Sequence, residues 1–334
     1  MARGAPSFDI HGLPRIVAIH DLAVFTGVSA RCLWWLASNT LNTYETFSLP
    51  KKSGGTRLIQ RPTGQLLPVQ RWVLRNILNR LQTTPNSFGF ERGRGLRHHA
   101  EQHSSARAVL TLDIKDFFPT ISIAQVTHVY RVAGYPSSAA SVLARLCTHN
   151  GVLPQGAPTS PRLANLVCRR LDWRLSHFAR RRGMVYTRYA DDMSFSASSA
   201  SELARVRPFV SHIIRDCGFR LNDSKSRLVG PRGRKVVTGL VVAQNGVGVG
   251  RHQLRELRAR IHHAHRQPKG PHAASLQGWL DYVSDVDPLR YQTLVKYIER
   301  LRGGGTSGLA ELRVRPAGSQ PKSSAEDVPT IAPI

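Results

Sequence analysis

Apolar residues recur at helical spacing along much of the chain. Between Leu66 and Leu81 they fall three or four residues apart, which predicts a helix with one buried face. The same spacing predicts two short helices within Asp21–Ala37 and further helices over 162–182, 201–217, 252–266, 275–284 and 288–302. We therefore expect a helix-rich chain in which three helices follow one another near the C-terminal end.

Strand patterns lie between these helices. The nearly unbroken apolar run Ala108–Ile114 predicts a buried strand, with Asp113 at its exit, and Val185–Tyr189 and Met193–Ser198 predict strands on either side of a polar turn. Further strands are predicted at Tyr44–Leu49, Thr56–Gln60, Lys235–Val242 and Val247–Val249, the last two joined by a hairpin turn at Asn245-Gly246. Together these elements predict an α+β fold.

The charge balance points to a particular class of partner. The 334 residues carry 47 Lys and Arg against 21 Asp and Glu, a formal net charge of +26, and such an excess repels itself unless a polyanion lies on the surface. Hydrophobic residues make up 41% of the chain, which is too many for a wholly disordered basic protein. Nucleic acid is therefore the first partner to consider.

The composition changes after Arg302. Residues 303–334 are rich in Gly, Ser and Pro and hold as many basic as acidic side chains, so we expect a flexible, disordered tail and a folded body that carries the whole charge excess. The four cysteines form no C-x-x-C pair, and no apolar run reaches the length of a membrane span. We expect free thiols and a soluble, cytoplasmic protein with no membrane partner.

Three carboxylates stand where apolar strands end. Asp113 closes one strand, and Asp191 and Asp192 form the polar turn between two others. A single aspartate at such a place is usually only a turn residue, but three of them in apolar segments need a compensating cation. Two divalent ions about 3.5 to 4 Å apart, as in phosphoryl transfer, would compensate carboxylates on adjacent strands. We therefore predict a two-metal site.

The segment Tyr189-Ala190-Asp191-Asp192 resembles the catalytic motif of reverse transcriptases. Other segments resemble further motifs of that family in the same order: the fingers motif at Leu49–Pro62, the first palm motif at Leu112–Phe118, the nucleotide-binding loop at Leu153–Pro161 and the segment after the catalytic hairpin at Gly218–Lys225. The resemblance covers about residues 20 to 300. It implies an RNA-directed DNA polymerase with a right-hand fold of fingers, palm and thumb.

Two segments resemble hallmarks of the bacterial retron reverse transcriptases. Val237-Thr238-Gly239 matches one hallmark, and His99-Ala100-Glu101-Gln102-His103 matches the other except that His99 replaces an asparagine. The short segment that follows the last predicted helix, residues 303–334, is similar to the arrangement in the same subgroup. The domains implied are N-terminal helices and fingers at 1–107, palm at 108–250, helical thumb at 251–302 and a tail at 303–334.

The resemblance also implies the metal ligands and the partners. Asp113, Asp191 and Asp192 would hold two Mg²⁺ ions, with the main-chain carbonyl of Ile114 as a further ligand. A retron enzyme would use dNTPs and a structured noncoding RNA as template and primer, extend DNA from a guanosine 2′-hydroxyl, hold the resulting RNA–DNA duplex, and act with a separate effector protein in antiphage defence in the bacterial cytoplasm.

Further residues receive roles from the same resemblance. Phe118 would be the steric gate that admits dNTPs and rejects rNTPs, and Phe117 would belong to the core. The other residues implied in nucleotide binding are Lys51, Lys52, Arg57, Gln155, Gly156 and Lys225. The residues implied in RNA binding are His103, Val237, Thr238, Gly239, Arg255 and Arg258, the last two on a basic thumb helix.

Two alternatives stay open at the level of the sequence. One is a diversity-generating or abortive-infection reverse transcriptase, which would use another primer. The other is a noncatalytic RNA-binding scaffold that keeps the fold. The complete set of three aspartates and the aromatic residue at position 118 argue against the scaffold.

Overall fold

The periodic apolar segments form helices close to the predicted places. The computed structural model describes residues 12–50, 54–244, 246–266, 273–303, 309 and 312–314. The helices in chain order are α1 (Ile19–Thr26), α2 (Ala30–Ser38), α3 (Leu66–Asn76), α4 (Leu96–Glu101), α5 (Phe117–Thr120), α6 (Ile123–Val132), α7 (Ser137–Cys147), α8 (Ser160–Val167), α9 (Arg169–Arg180), α10 (Ala200–Asp216), α11 (Arg251–Arg266), α12 (Ala273–Val286) and α13 (Pro288–Arg302). The prediction of three consecutive C-terminal helices is confirmed.

The strands form three sheets. They are β1 (Tyr44–Pro50), β2 (Thr56–Pro62), β3 (Ala108–Asp113), β4 (Val185–Tyr189), β5 (Asp192–Ala197), β6 (Arg227–Val229), β7 (Lys235–Val237), β8 (Leu240–Ala243) and β9 (Gly246–Gly248). Strands β1 and β2 form an antiparallel hairpin, a four-stranded sheet has the order β4-β5-β3-β6, and β7-β8-β9 form a third sheet. The predicted α+β fold is confirmed.

Two predicted helices are interrupted. The helix expected over 66–81 ends at Asn76, and a short 3₁₀ turn follows at Leu78–Arg80. Ile77 and Leu78 are both fully buried, which a regular helix achieves poorly because successive side chains point to different sides. The helix expected over 162–182 is divided at Cys168 into α8 and α9.

The strand predicted at Lys235–Val242 is wrong, because the chain reverses in the middle of it. Thr238 and Gly239 both have positive φ angles, +44° and +84°, and Val237 pairs with Leu240. Two central residues with positive φ make the tight two-residue turn that suits antiparallel strands. The hairpin expected around Gly246 also forms, between β8 and β9, while Asn245 lies outside the described residues.

The described residues pack into two compact units. The first takes its residues from Met1–Glu91, Leu112–Met193 and Arg205–Ser226, and the second from Arg92–Thr111, Ser194–Ala204 and Arg227–Ile334. In the first unit, α2 and α3 both pack against α7. The predicted boundaries of fingers, palm and thumb remain a prediction.

The second unit has a core that includes part of the segment expected to be disordered. Leu309 and Leu312 are buried among apolar side chains of α11, α12 and α13. The guanidinium of Arg302 donates to the carbonyls of both leucines, and the amide of Arg313 donates to Gln277 Oε1 at 2.8 Å. The expectation of a disordered tail is therefore wrong for these residues, since two leucines supply enough apolar area to hold the chain on the helices.

Two other expectations concern the cysteines and the membrane. All four cysteines are free, and Cys147 and Cys168 are buried, which agrees with the prediction of free thiols. Within the part of the chain that the structure describes, no helix has both the length and the apolar character that crossing a membrane requires.

Candidate active site

Asp113 lies at the end of β3, an inner strand of the four-stranded sheet. Strand β3 is apolar and almost fully buried, and Asp113 itself is only 5% exposed. Its carbonyl accepts a hydrogen bond from the amide of Asn222 at 2.8 Å. Its carboxylate Oδ2 accepts from Nζ of Lys225 at 2.9 Å. The strand therefore delivers a carboxylate to a fixed position, beside one cation.

The turn between β4 and β5 brings two more carboxylates to the same place. Ala190 has a φ of +57°, a left-handed conformation that costs energy in a residue with a Cβ atom. The amide of Ile114, directly after Asp113, donates to the carbonyl of Asp191 at 3.0 Å. This hydrogen bond joins the turn to the end of β3, so Asp113, Asp191 and Asp192 come together as the sequence predicts.

The electrostatics of the three carboxylates show an excess of negative charge. Desolvation, followed by repulsion from Asp191 and Asp113, raises the pKa of Asp192 to about 7. The pKa of Asp191 is also raised, first by desolvation and then by Asp113, although Lys225 and Arg57 oppose the rise. Desolvation lowers the pKa of Lys225, but its hydrogen bond to Asp113 outweighs this, so the pKa is raised.

The donor set fits a hard divalent cation. Among the described residues, no three His, Cys, Asp or Glu side chains are already spaced to hold a metal ion, and the ammonium of Lys225 lies on Asp113 instead. Three carboxylates that share one nearby ammonium still need positive charge, and oxygen ligands suit Mg²⁺. Asp192 is an exposed residue, although neighbouring protein atoms partly desolvate its carboxylate. A cation from solvent can therefore reach it.

The loop expected to contact the nucleotide packs against a strand of the β1–β2 hairpin. The amide of Gln60 donates to the carbonyl of Gln155 at 2.7 Å. At Gly156, with φ of +121°, a Cβ atom would lie 2.8 Å from a side-chain carbon of Ile59, so this close approach needs glycine. Arg57 lies on the same strand and acts electrostatically on Asp191. The structure thus places Arg57 within electrostatic reach of Asp191 and holds Gln155 and Gly156 against the same strand, while their contacts with a nucleotide stay a prediction.

Lys51 and Lys52, the other predicted fingers cations, lie outside the described residues. They fall in the sequence between Pro50, the last residue of β1, and Thr56, the first residue of β2. Their contribution to triphosphate binding stays a prediction.

The two phenylalanines after β3 have different environments. Phe117 is 4% exposed and its ring lies 6.0 Å from that of Phe219, which confirms its place in the core. Phe118 is only half-buried, with its ring 6.3 Å from that of Phe90. Phe90 is itself 39% exposed, with φ of +62°. An accessible ring at position 118 is compatible with a gate, and Phe90 is a neighbour that the sequence motifs did not indicate.

A buried ion pair that the sequence reasoning missed lies behind the turn between β4 and β5, which carries the predicted catalytic residues and is called the catalytic turn below. Arg188 on β4 is fully buried, and its guanidinium donates to both carboxylate oxygens of Asp172 on α9, at 2.8 and 2.7 Å. Desolvation works against the charge of Arg188, but the attraction of Asp172 outweighs it, so the pKa of Arg188 is raised. Tyr186 and Thr84 also donate to Asp172, each at 2.8 Å.

The same guanidinium holds the catalytic turn. Nη1 of Arg188 donates at 3.0 Å to the carbonyl of Ala190 and to Oδ1 of Asn165. Asn165 in turn donates to the carbonyl of Gly89 at 2.7 Å, and a Cβ atom on Gly89 would lie 2.6 Å from the amide nitrogen of Ala190. The left-handed Ala190 is therefore fixed from two sides by buried groups.

The two segments that resemble retron hallmarks meet in the second unit. Nδ1 of His99 lies 3.2 Å from the hydroxyl of Thr238, so the histidine that replaces asparagine contacts the other hallmark. His103 is fully buried, with Nδ1 2.7 Å from the hydroxyl of Ser196, and burial lowers its pKa to about 4. Val237 is also fully buried.

The burial of these side chains corrects part of the predicted RNA-binding set. His103 and Val237 have no surface to offer RNA and stabilise the second unit internally. Gly239 is exposed and Thr238 is partly exposed. Arg255 and Arg258 project from α11 as exposed cations, and the guanidinium of Arg258 lies 6.0 Å from the ring centre of Tyr297. These four residues remain candidates for RNA contact.

Comparisons with known proteins decide the family. Residues 49–247 match the family model described as reverse transcriptase (RNA-dependent DNA polymerase). The chain is 38% identical over 292 residues to the retron Ec86 reverse transcriptase of Escherichia coli, covering 87% of this chain and 91% of that protein. This chain belongs to the retron reverse transcriptases. It is also 36% identical over 309 residues to the retron Mx65 reverse transcriptase of Myxococcus xanthus, covering 86% and 72% of the two chains.

Membership in the family gives this retron reverse transcriptase its activity, RNA-directed DNA polymerisation, and its right-hand polymerase fold. Among solved structures, it is similar to telomerase from Candida albicans in complex with a fragment of telomeric RNA, with a TM-score of 0.49, 11% identity, and coverage of 76% of this chain and 56% of that one. It is also similar to a foamy viral protease-reverse transcriptase with double-stranded DNA, with a TM-score of 0.41, 17% identity, and coverage of 79% and 40%.

Proposed function

We propose that this enzyme copies a structured noncoding RNA into single-stranded DNA that stays linked to the RNA, by two-metal phosphoryl transfer at Asp113, Asp191 and Asp192. The observation that carries the proposal is the juxtaposition of these carboxylates, with the catalytic turn tied to β3 by the hydrogen bond from Ile114 to Asp191. Their excess negative charge, seen in the raised pKa of Asp192, supports a cation-binding role.

The three carboxylates would act together as metal ligands. Asp113, Asp191 and Asp192 would hold Mg²⁺, with the carbonyl of Ile114 as a further ligand. When bound, the ions supply Lewis acidity to the attacking hydroxyl and to the leaving pyrophosphate. Lys225 is paired with Asp113 in the structure, and its ammonium would turn from that carboxylate towards the pyrophosphate.

The nucleotide would be held by groups on both sides of the carboxylates. Arg57 attracts the charge of Asp191. Its planar guanidinium would donate two parallel hydrogen bonds to phosphate oxygens of the triphosphate, and Lys51 and Lys52 would add further positive charge. Phe118 would lie under the sugar and collide with a ribose 2′-hydroxyl. Gln155 and Gly156 would contact the nucleotide and template from the loop that packs against β2.

The retron context supports the rest of the proposal. Relatives in this family are retron enzymes, so the RNA would serve as both template and primer, with DNA extending from a guanosine 2′-hydroxyl and the product acting in antiphage defence together with a separate effector protein. The basic surface of α11, including Arg255 and Arg258, would hold the RNA–DNA duplex through its phosphates.

The test replaces one carboxylate oxygen at a time. Asp191→Asn and Asp192→Asn should each lower the incorporation of labelled dNTP on a primed RNA by on the order of 100-fold or more, while RNA affinity stays within about twofold because the basic surface is intact. Asp285→Asn, the same chemical change at an exposed position on α12, should leave incorporation unchanged. Incorporation by both site variants at the rate of the Asp285 control would contradict the metal assignment.

A further inference from the structure

Helices α9 and α10 form an open groove that takes no part in the polymerase site. Its volume is about 370 Å³, and its lining includes Trp173, His177 and Phe178 from α9 and Phe209 from α10. The groove residues at the end of α9 come just before β4 in the sequence. Strand β4 is five residues long, so its start lies about 16 Å from the catalytic turn at its end. The groove is therefore separate from the aspartates but belongs to the same unit.

The groove presents stacked flat rings to solvent. The rings of Trp173 and His177 are stacked 5.6 Å apart at an interplanar angle of 11°, and those of Phe178 and Phe209 are 4.7 Å apart at 18°. Trp173 is 65% exposed and Phe209 is 51% exposed. Single exposed aromatic residues are common, but a cluster of stacked exposed rings is typical of a surface that a partner covers.

Cations surround these rings. Arg181 and Arg182 line the groove, and the guanidinium of Arg182 lies 4.0 Å from the ring centre of Phe178. Further exposed arginines on α9 are Arg169, Arg170 and Arg180. The one acidic residue between positions 169 and 182 is Asp172, which is fully buried and paired with Arg188. On α10, Asp216 is paired with Arg174 of α9 at 3.0 Å, so the accessible charge that remains on this face is positive.

We propose that this groove binds an unpaired segment of the template RNA, with bases stacked on Trp173 and Phe209 and phosphates on Arg181 and Arg182. The inference rests on the proposed function, because the RNA that supplies template and primer must be on the enzyme before DNA exists. Flat rings flanked by cations match a single strand, whose bases are free to stack. A duplex would satisfy the arginines but would leave the rings uncovered.

A protein partner matches the groove less well. An acidic protein surface would complement the arginines, yet stacked rings beside guanidinium groups have their specific counterpart in planar nucleobases joined by phosphates. The net charge of +26 also favours a polyanion over a small acidic patch. RNA is thus the occupant that accounts for both observations.

The experiment measures the affinity of the full-length enzyme for two labelled RNA probes. One is a blunt RNA hairpin, and the other is the same hairpin with an unpaired tail of about ten nucleotides. Trp173→Ala and Phe209→Ala should each weaken binding of the tailed hairpin by roughly fivefold or more and leave the blunt hairpin unaffected. Trp34→Ala is the matched control, since Trp34 is 62% exposed on α2, and it should bind both probes as the wild type does.

Two further measurements identify what occupies the groove and separate RNA binding there from polymerase activity. A 4-thiouridine in the tail should crosslink to the peptide that contains Trp173, and crosslinks confined to peptides outside α9 and α10 would overturn the proposal. Equal affinities of wild type and both groove variants for the tailed hairpin would also overturn it. Primer extension on a primed RNA with no unpaired tail beyond the copied segment tests the proposed function by itself, and the groove variants should extend that substrate as the wild type does.

Discussion

Removing the guanidinium of Arg188 should both destabilise the enzyme and impair the catalytic turn. In Arg188→Met the side chain keeps an unbranched apolar stem of about the same extent as the arginine stem, but the guanidinium and its five buried donors disappear. Asp172 then stays buried with Tyr186 and Thr84 as hydrogen-bond donors and without a countercharge. The carbonyl of Ala190 loses the donor that lies 3.0 Å away.

The size of the stability effect follows from the burial of the pair. Both side chains are 0% exposed, and breaking such a pair costs about 3 to 5 kcal/mol because one charge remains uncompensated. For a unit of this size, each kcal/mol lowers the melting temperature by about 2 to 4 °C. We therefore expect Arg188→Met to melt roughly 6 to 20 °C below the wild type.

A second variant separates stability from positioning. In the double variant Asp172→Asn, Arg188→Met no buried charge remains, and the amide at position 172 can still pair with both hydroxyls, its oxygen accepting from Tyr186 and its NH2 group donating to Thr84. At least half of the lost free energy of unfolding should return. The kcat for dNTP incorporation, measured well below the melting temperature, should stay low, because the carbonyl of Ala190 still lacks its donor.

Melting curves and steady-state kinetics on the wild type and both variants decide the matter. The reasoning would be refuted by a single variant within 1 kcal/mol of the wild type. It would also be refuted by a double variant that regains stability and kcat together, because the pair would then act on stability alone.

Three further predictions follow from the structure. Phe118→Ala should raise the ratio of rNTP to dNTP incorporation by about tenfold or more, since removal of the ring opens space for a 2′-hydroxyl, and an unchanged ratio in an active enzyme would show that the gate lies elsewhere. Truncation after Gly303 removes the buried Leu309 and Leu312, and it should lower the free energy of unfolding of the second unit by about 3 to 6 kcal/mol. An unchanged free energy of unfolding, measured by calorimetry, would contradict the packing of these leucines. Burial lowers the pKa of His103 to about 4, so the neutral ring stabilises the fold above pH 6.5 and this contribution is lost as the pH falls towards 4. The free energy of unfolding should drop by about 2 kcal/mol between pH 7 and pH 5, and His103→Asn should remove most of that drop.

Local patterns were enough to predict the elements that carry the three aspartates. The apolar run before Asp113 and the two strands around Asp191 and Asp192 form as expected, because each is a short apolar segment that ends at a turn. The separation of Phe117 and Phe118 into core and accessible rings also agrees. The same local rules failed at Thr238-Gly239, where the turn needs a positive φ at a threonine that sequence propensity disfavours.

Long-range pairing is what the sequence could not supply. Arg188 lies within an otherwise apolar strand, and Asp172 is the one acid in a basic helix, so each is unusual where it stands. Nothing in the spacing says that the two meet, since the partners are brought together by the packing of α9 against β4. Leu309 and Leu312 were missed for a related reason, because two leucines in a Gly- and Ser-rich segment find their core only in the tertiary structure.

The most direct test of the account is the analysis of nucleic acid that copurifies with the full-length enzyme from a bacterium that expresses it with its neighbouring DNA. We expect a structured RNA joined through an internal guanosine 2′-hydroxyl to single-stranded DNA, with sequencing across the junction showing DNA complementary to that RNA. An Asp192→Asn enzyme should copurify the same RNA with no DNA attached. DNA that carries no RNA linkage, or linked DNA made equally by the Asp192→Asn enzyme, would contradict the account.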